Sequence, residues 1–214
     1  MLSENLQAGA KKLLSPTNRI NHSILVASPG RSGSTVLYQS LAKATSKPPS
    51  WTRATAWDLR RSWCLPGMVY KTHAAAVDLP KRMRVIYVYR EASKIVSSTS
   101  KMVRENGEAW ASAHARHLLG QRAKSRSDWS AALLDELPTS DILDIAGNLR
   151  SWSNTKGVLL VKYDYMWELE EKIEDFLGTK VQLPEYRASD TKGHVVGYAD
   201  YQTLYDDLPP ILHT

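Results

Sequence analysis

Cysteine is almost missing from this 214-residue chain, Cys64 being the only one. An intrachain disulfide is therefore impossible, and a zinc site built from cysteines is excluded. Long apolar runs are missing too; none approaches the ~18 residues a membrane-spanning helix needs. The first 22 residues mix Glu4, Lys11, Lys12 and Arg19 with isolated apolar side chains and lack the apolar core of a secretory signal. They read as an N-terminal extension, 1–22, ahead of a single α/β domain over 23–214. No repeat, low-complexity tract or linker divides the chain. With 43% hydrophobic and 23% charged residues, the composition is that of an ordinary globular protein and not of a disordered or collagen-like one. A soluble, reduced, cytoplasmic protein with no membrane partner is the expectation. The net charge of +6 points to an anionic partner. It does not choose among nucleic acid, phosphates and acidic substrates.

Three short apolar runs carry the pattern that is present: Ile24–Ala27, Val85–Tyr89 and Val158–Val161, with Val69-Tyr70 as a weaker fourth. They are continuous and not alternating, which fits strands covered on both faces, as in a parallel sheet. Helical spacing lies between them. Leu37, Leu41 and Ala44 form one stripe, and Ile95, Thr99 and Met102 another, with Asn106-Gly107 as a stop signal. Ile142, Ile145, Leu149 and Trp152 form a third. Met166, Leu169, Ile173 and Phe176 form the last, closed by Gly178. Strands alternating with helices predict an α/β sandwich whose ligands bind beyond the C-terminal ends of the strands. That directs attention to the residues after Ala27, Tyr70, Tyr89 and Val161.

Ser28-Pro29-Gly30-Arg31-Ser32-Gly33-Ser34-Thr35 follows the first strand and opens the first helix. Small residues let backbone N–H groups approach an anion, and the helix N-terminus adds partial positive charge. Ser32, Ser34 and Thr35 add hydroxyl donors, and Arg31 a full charge. No lysine follows Gly33, so this is not a Walker A loop and a nucleotide triphosphatase is disfavoured. A plain turn capped by serine or threonine is the alternative. At the next strand end, Lys71 and His73 stand two apart and share a face in extended backbone, a base beside a cation. Arg90 ends the third run, and Ser98 follows two turns into the next helix, a pair able to hold one phosphate from two sides. Tyr163, after the last run, is placed to flank a base or sugar. Lys192-Gly193 lies in a loop-like stretch where ammonium and backbone can fold onto a phosphate. Each feature has an ordinary surface or packing alternative.

Taken together, Ser28–Thr35, Lys71-Thr72-His73, Arg90 with Ser98, Tyr163-Asp164 and Lys192-Gly193 resemble the signature set of sulfotransferases that use 3′-phosphoadenosine 5′-phosphosulfate (PAPS). The resemblance runs in chain order from about Ile24 to Gly197. It implies a single sulfotransferase-like α/β domain, a central mostly parallel sheet flanked by helices in P-loop-like topology. By the same resemblance, Arg31, Ser32, Gly33, Ser34 and Thr35 form the 5′-phosphosulfate cradle, and Arg90 with Ser98 grips the 3′-phosphate. His73 is the base, beside Lys71 and Arg31, Tyr163 lies near the nucleotide, and Lys192 and Gly193 match the end of an Arg-Lys-Gly element. Two positions depart from the pattern: Val36 replaces the aromatic residue that often follows the cradle, and Thr191 replaces the arginine before Lys192.

The implied reaction moves a sulfuryl group from PAPS to a hydroxyl of a small molecule or carbohydrate, releasing 3′-phosphoadenosine 5′-phosphate. No metal and no nucleic acid are required. A P-loop phosphotransferase or kinase and a non-catalytic polyanion-binding module are the alternatives. His114 and His117, three apart, read as ordinary helix histidines in the absence of a metal-binding partner. Arg116, Arg122, Lys124 and Arg126 read as a solvated basic helix end. Trp51, Trp57 and Trp63, interleaved with Arg53, Arg60 and Arg61, are the candidate contacts to the acceptor.

Overall fold

The computed structural model of the chain describes residues 22–44, 53–55, 65–77, 82–186 and 199–213. Most of the extension, the tryptophan-rich stretch apart from the backbone of 53–55, Cys64, Lys192 and Gly193 lie outside them.

The apolar runs become strands β1 (Ser23–Ala27), β3 (Val69–Thr72), β4 (Met83–Tyr89) and β5 (Val158–Lys162). Two short strands that the hydrophobic pattern does not announce, β2 (Arg53–Thr55) and β6 (Ile211–His213), complete the sheet. The order is β2-β3-β1-β4-β5-β6. Every described pairing is parallel except that of β6 with β5. This is the expected α/β architecture, a single mostly parallel sheet in P-loop-like order.

Alternation within strands decides which core each residue enters. Leu25, Tyr87 and Leu160 pack on one face with α2 (Ala92–Leu119), α3 (Trp129–Asp135), α4 (Ile145–Ser153) and α6 (Ala199–Asp207). Ile24, Ile86 and Val161 pack on the other, with Leu37 and Leu41 of α1 (Ser34–Ala44) and Ile173 and Leu177 of α5 (Glu170–Leu177). Covering both faces explains why the strands read as unbroken apolar runs. Truncating one fully buried side chain, Ile86 for example, should cost about 2–5 kcal/mol.

One sequence expectation changes. Asn106-Gly107 does not stop a helix; α2 continues through it to Leu119, with Gly107 at φ 66° and ψ −160°. That backbone region is essentially open to glycine alone, so the residue redirects the helix without ending it. No described helix is long and apolar enough to cross a membrane.

Candidate functional site

β1 sits centrally with β3 and β4 as parallel neighbours, so the C-terminal ends of β3, β1, β4 and β5 converge on one edge. A pocket of about 620 Å³ opens there. It is lined by Arg31, Gly33, Ser34 and Thr35 from the β1–α1 loop and helix start, Lys71 and His73 from the end of β3, and Arg90 after β4. Ser98, Trp110, Ala113, His114 and His117 come from α2, and Tyr163 from the turn after β5. Nine of the residues predicted from sequence thus meet around one cavity: Arg31, Gly33, Ser34, Thr35, Lys71, His73, Arg90, Ser98 and Tyr163. Ser32 supports them from behind, its hydroxyl donating to the Val88 carbonyl at 2.9 Å.

The loop's turn requires positive φ at Gly30, Arg31 and Gly33. Gly33 has a second reason to be glycine, since a Cβ there would collide with the Tyr163 ring. Arg31, held left-handed at φ 54°, donates through Nε to Ser98 Oγ at 3.0 Å. Ser98 therefore joins the cradle side, rather than pairing with Arg90. Lys71 Nζ donates to Thr35 Oγ1 at 2.7 Å, tying β3 to the start of α1.

His73 is buried, and its Nδ1 lies 3.1 Å from the Ser28 carbonyl and 3.0 Å from Ser28 Oγ. A carbonyl only accepts, so Nδ1 carries the proton and Nε2 the lone pair. Ser28 Oγ also accepts from Gly30 N at 3.3 Å and lies 2.8 Å from Ser34 Oγ, so the loop and the histidine share one hydrogen-bond chain. Burial, with Lys71 and His114 nearby, holds the His73 pKa well below the ordinary imidazole value. Burial and the Arg31 charge push Lys71 down to about 8.

Arg90 is buried, with its guanidinium carbon 4.8 Å from the centre of the Tyr163 ring. Its Nε has no hydrogen-bond partner, and Asp164 stands 3.8 Å from its NH2. Glu91, the neighbour that sequence offers as a partner, pairs instead with Lys94 at 3.7 Å. The Tyr201 hydroxyl of α6 donates to the Arg90 carbonyl. No aspartate or glutamate lines the pocket among the described residues. A buried arginine with an unfilled donor, two further cations and no lining carboxylate suits a polyanion.

Sequence reasoning missed the far wall. Trp110, Ala113, His114 and His117 share one face of α2 beyond the Gly107 kink, and their spacing of 3, 1 and 3 was the available signal. The His114 ring stacks on Trp110 at 4.7 Å and meets His73 edge-on at 6.1 Å. Burial and Arg31 push His114 down to about 3, so it is neutral. No group of three or more potential metal ligands occurs among the described residues.

The fold and site thus define an α/β protein of P-loop-like topology whose strand-end loop and cations frame an anion-suited pocket. Compared with models of protein families and with curated proteins, the chain matches none.

Proposed function

We propose that the chain is a PAPS-dependent sulfotransferase acting on a hydroxyl acceptor, either a small molecule or a carbohydrate. The observation that carries the reading is the meeting of Arg31, Lys71, Arg90 and a neutral, oriented His73 in one pocket without a lining carboxylate. Sulfuryl transfer is an in-line displacement with charge spreading over equatorial and leaving oxygens, so positioning and fixed positive charge supply most of the catalysis. Arg31, Lys71 and the N–H groups of the loop stabilise the sulfuryl group and the phosphate oxygen that leaves. Arg90 and Ser98 hold the 3′-phosphate. The acceptor oxygen forms the new S–O bond as the bond to the donor phosphate breaks, and its proton passes to His73 Nε2. Fixed cations do here what magnesium does in kinases.

A thermal-shift comparison of PAPS, 3′-phosphoadenosine 5′-phosphate, ATP and a DNA oligomer tests the reading. Stabilisation by the two 3′-phosphorylated nucleotides alone is expected. A preference for ATP would favour a phosphotransferase, and a preference for DNA a polyanion-binding module. His73→Ala should keep nucleotide binding and lose turnover with labelled donor.

A further inference from the structure

His73 is the first residue beyond the β3 ladder. The last β1–β3 partners are Ala27 and Thr72, and Ser28 N takes the Thr72 carbonyl at 3.2 Å. The His73 carbonyl therefore needs a partner from outside the sheet. Asn148 of α4 supplies it, Nδ2 donating at 2.9 Å. The orientation of that amide follows from its partners. The carbonyl accepts only, so Nδ2 faces His73, Oδ1 faces Tyr87, and the Tyr87 hydroxyl donates to it at 2.8 Å. Tyr87 is fully buried on β4, and burial pushes its hydroxyl pKa well up, so it remains a donor.

The same helix face continues the grip. Ser151 Oγ accepts from Ala76 N at 3.0 Å, and Trp152 Nε1 donates to the Ala74 carbonyl at 3.1 Å. Tyr87 stacks on Trp152 with ring centres 5.9 Å apart. Asn148 is 2% exposed, a polar side chain among the core residues Ile145, Leu149 and Trp152. Burying an amide there is costly unless its hydrogen bonds are made, and both printed bonds point to the backbone of the candidate base and its support.

We infer that Asn148, braced by Tyr87, is a positioning residue for His73, a role that rests on the sulfotransferase reading for its effect on turnover. By holding the His73 backbone one residue past the sheet, the Tyr87–Asn148 strut keeps Nδ1 against the Ser28 carbonyl. That contact sets the tautomer and leaves the lone pair on Nε2. When the strut is cut, the ring loses its carbonyl partner and the proton drifts to Nε2, where it blocks base action.

The test combines steady-state kinetics with nitrogen NMR of the His73 ring. Asn148→Leu should lower kcat by about ten- to a hundredfold, the scale of a misplaced catalytic group, with KM for PAPS changed less than about twofold. Its His73 signal should shift from the Nδ1–H toward the Nε2–H tautomer. Tyr87→Phe should show a smaller shift in the same direction, and it carries the test if Asn148→Leu does not fold. Ser153→Ala, on the same helix with a hydroxyl that bonds only to the Arg150 carbonyl, should match wild type. Wild-type tautomer populations in folded Asn148→Leu or Tyr87→Phe overturn the inference, whatever kcat does. A tautomer shift in a chain without sulfuryl transfer keeps the strut and overturns the proposed function instead.

Discussion

Lys71 is the residue whose charge is most exposed to pH. Its pKa of about 8 leaves it a cation below that value and neutral above it. His73, held well below the ordinary imidazole range, is already the neutral base at pH 7. For a reaction that needs both forms, kcat/KM should be flat near neutrality. It should fall above about pH 8 as Lys71 loses its proton, and the acid limb should lie below pH 6.5. Lys71→Arg, which keeps its charge, should move the alkaline limb upward by more than one unit; an unmoved limb assigns it to another group. Arg90→Ala should weaken 3′-phosphoadenosine 5′-phosphate binding by about 1.5–3 kcal/mol in calorimetry, the range for a hydrogen bond to a charged group. Most of these residues were legible in sequence because they sit at strand ends, where topology fixes their meeting place. Ser28 and Asn148 were not, because their partners are backbone carbonyls, which leave no trace in residue spacing. The one hint was a polar Asn148 on an otherwise apolar stripe.

At the scale of elements, α2 does the most. Before Gly107 it offers Ser98 to Arg31; after it, Trp110, Ala113, His114 and His117 reach the same pocket. No neighbouring atom lies within 4 Å of where a Gly107 Cβ would stand, so substitution meets backbone strain and not a clash. Gly107→Ala should cost about 1–3 kcal/mol, seen as a lower Tm, and should weaken binding of ligands that touch the far wall. Sequence marked this glycine as a stop because a glycine that ends a helix and one that bends it look alike. Only packing of the distal half decides between them. The short strands β2 and β6 were hidden for a related reason: three residues are too few to show a period.

Across the whole molecule, buried neutral histidines set the acid limit. His114 has a pKa of about 3 when folded against an ordinary value of 6.5. The unfolded chain therefore binds more protons between those values, and stability falls as pH drops from 6.5 toward 3. Each such group contributes a slope of about 1.4 kcal/mol per pH unit inside its window. His73, shifted the same way, adds to it. His114→Phe removes one of the two and should give a shallower loss of Tm between pH 6 and pH 4, in about that proportion. An unchanged slope would mean that other groups dominate the acid transition.

The bent helix also carries a phase. The two halves of α2 meet the cavity only because the residues between Ser98 and Trp110 deliver Trp110 at the right angle about the axis. One residue inserted or deleted between them turns the distal half by about 100°, carrying Trp110, His114 and His117 away together while Ser98 stays in place. The far wall can thus be exchanged as a block, and its length counted in whole turns, without disturbing the cradle opposite.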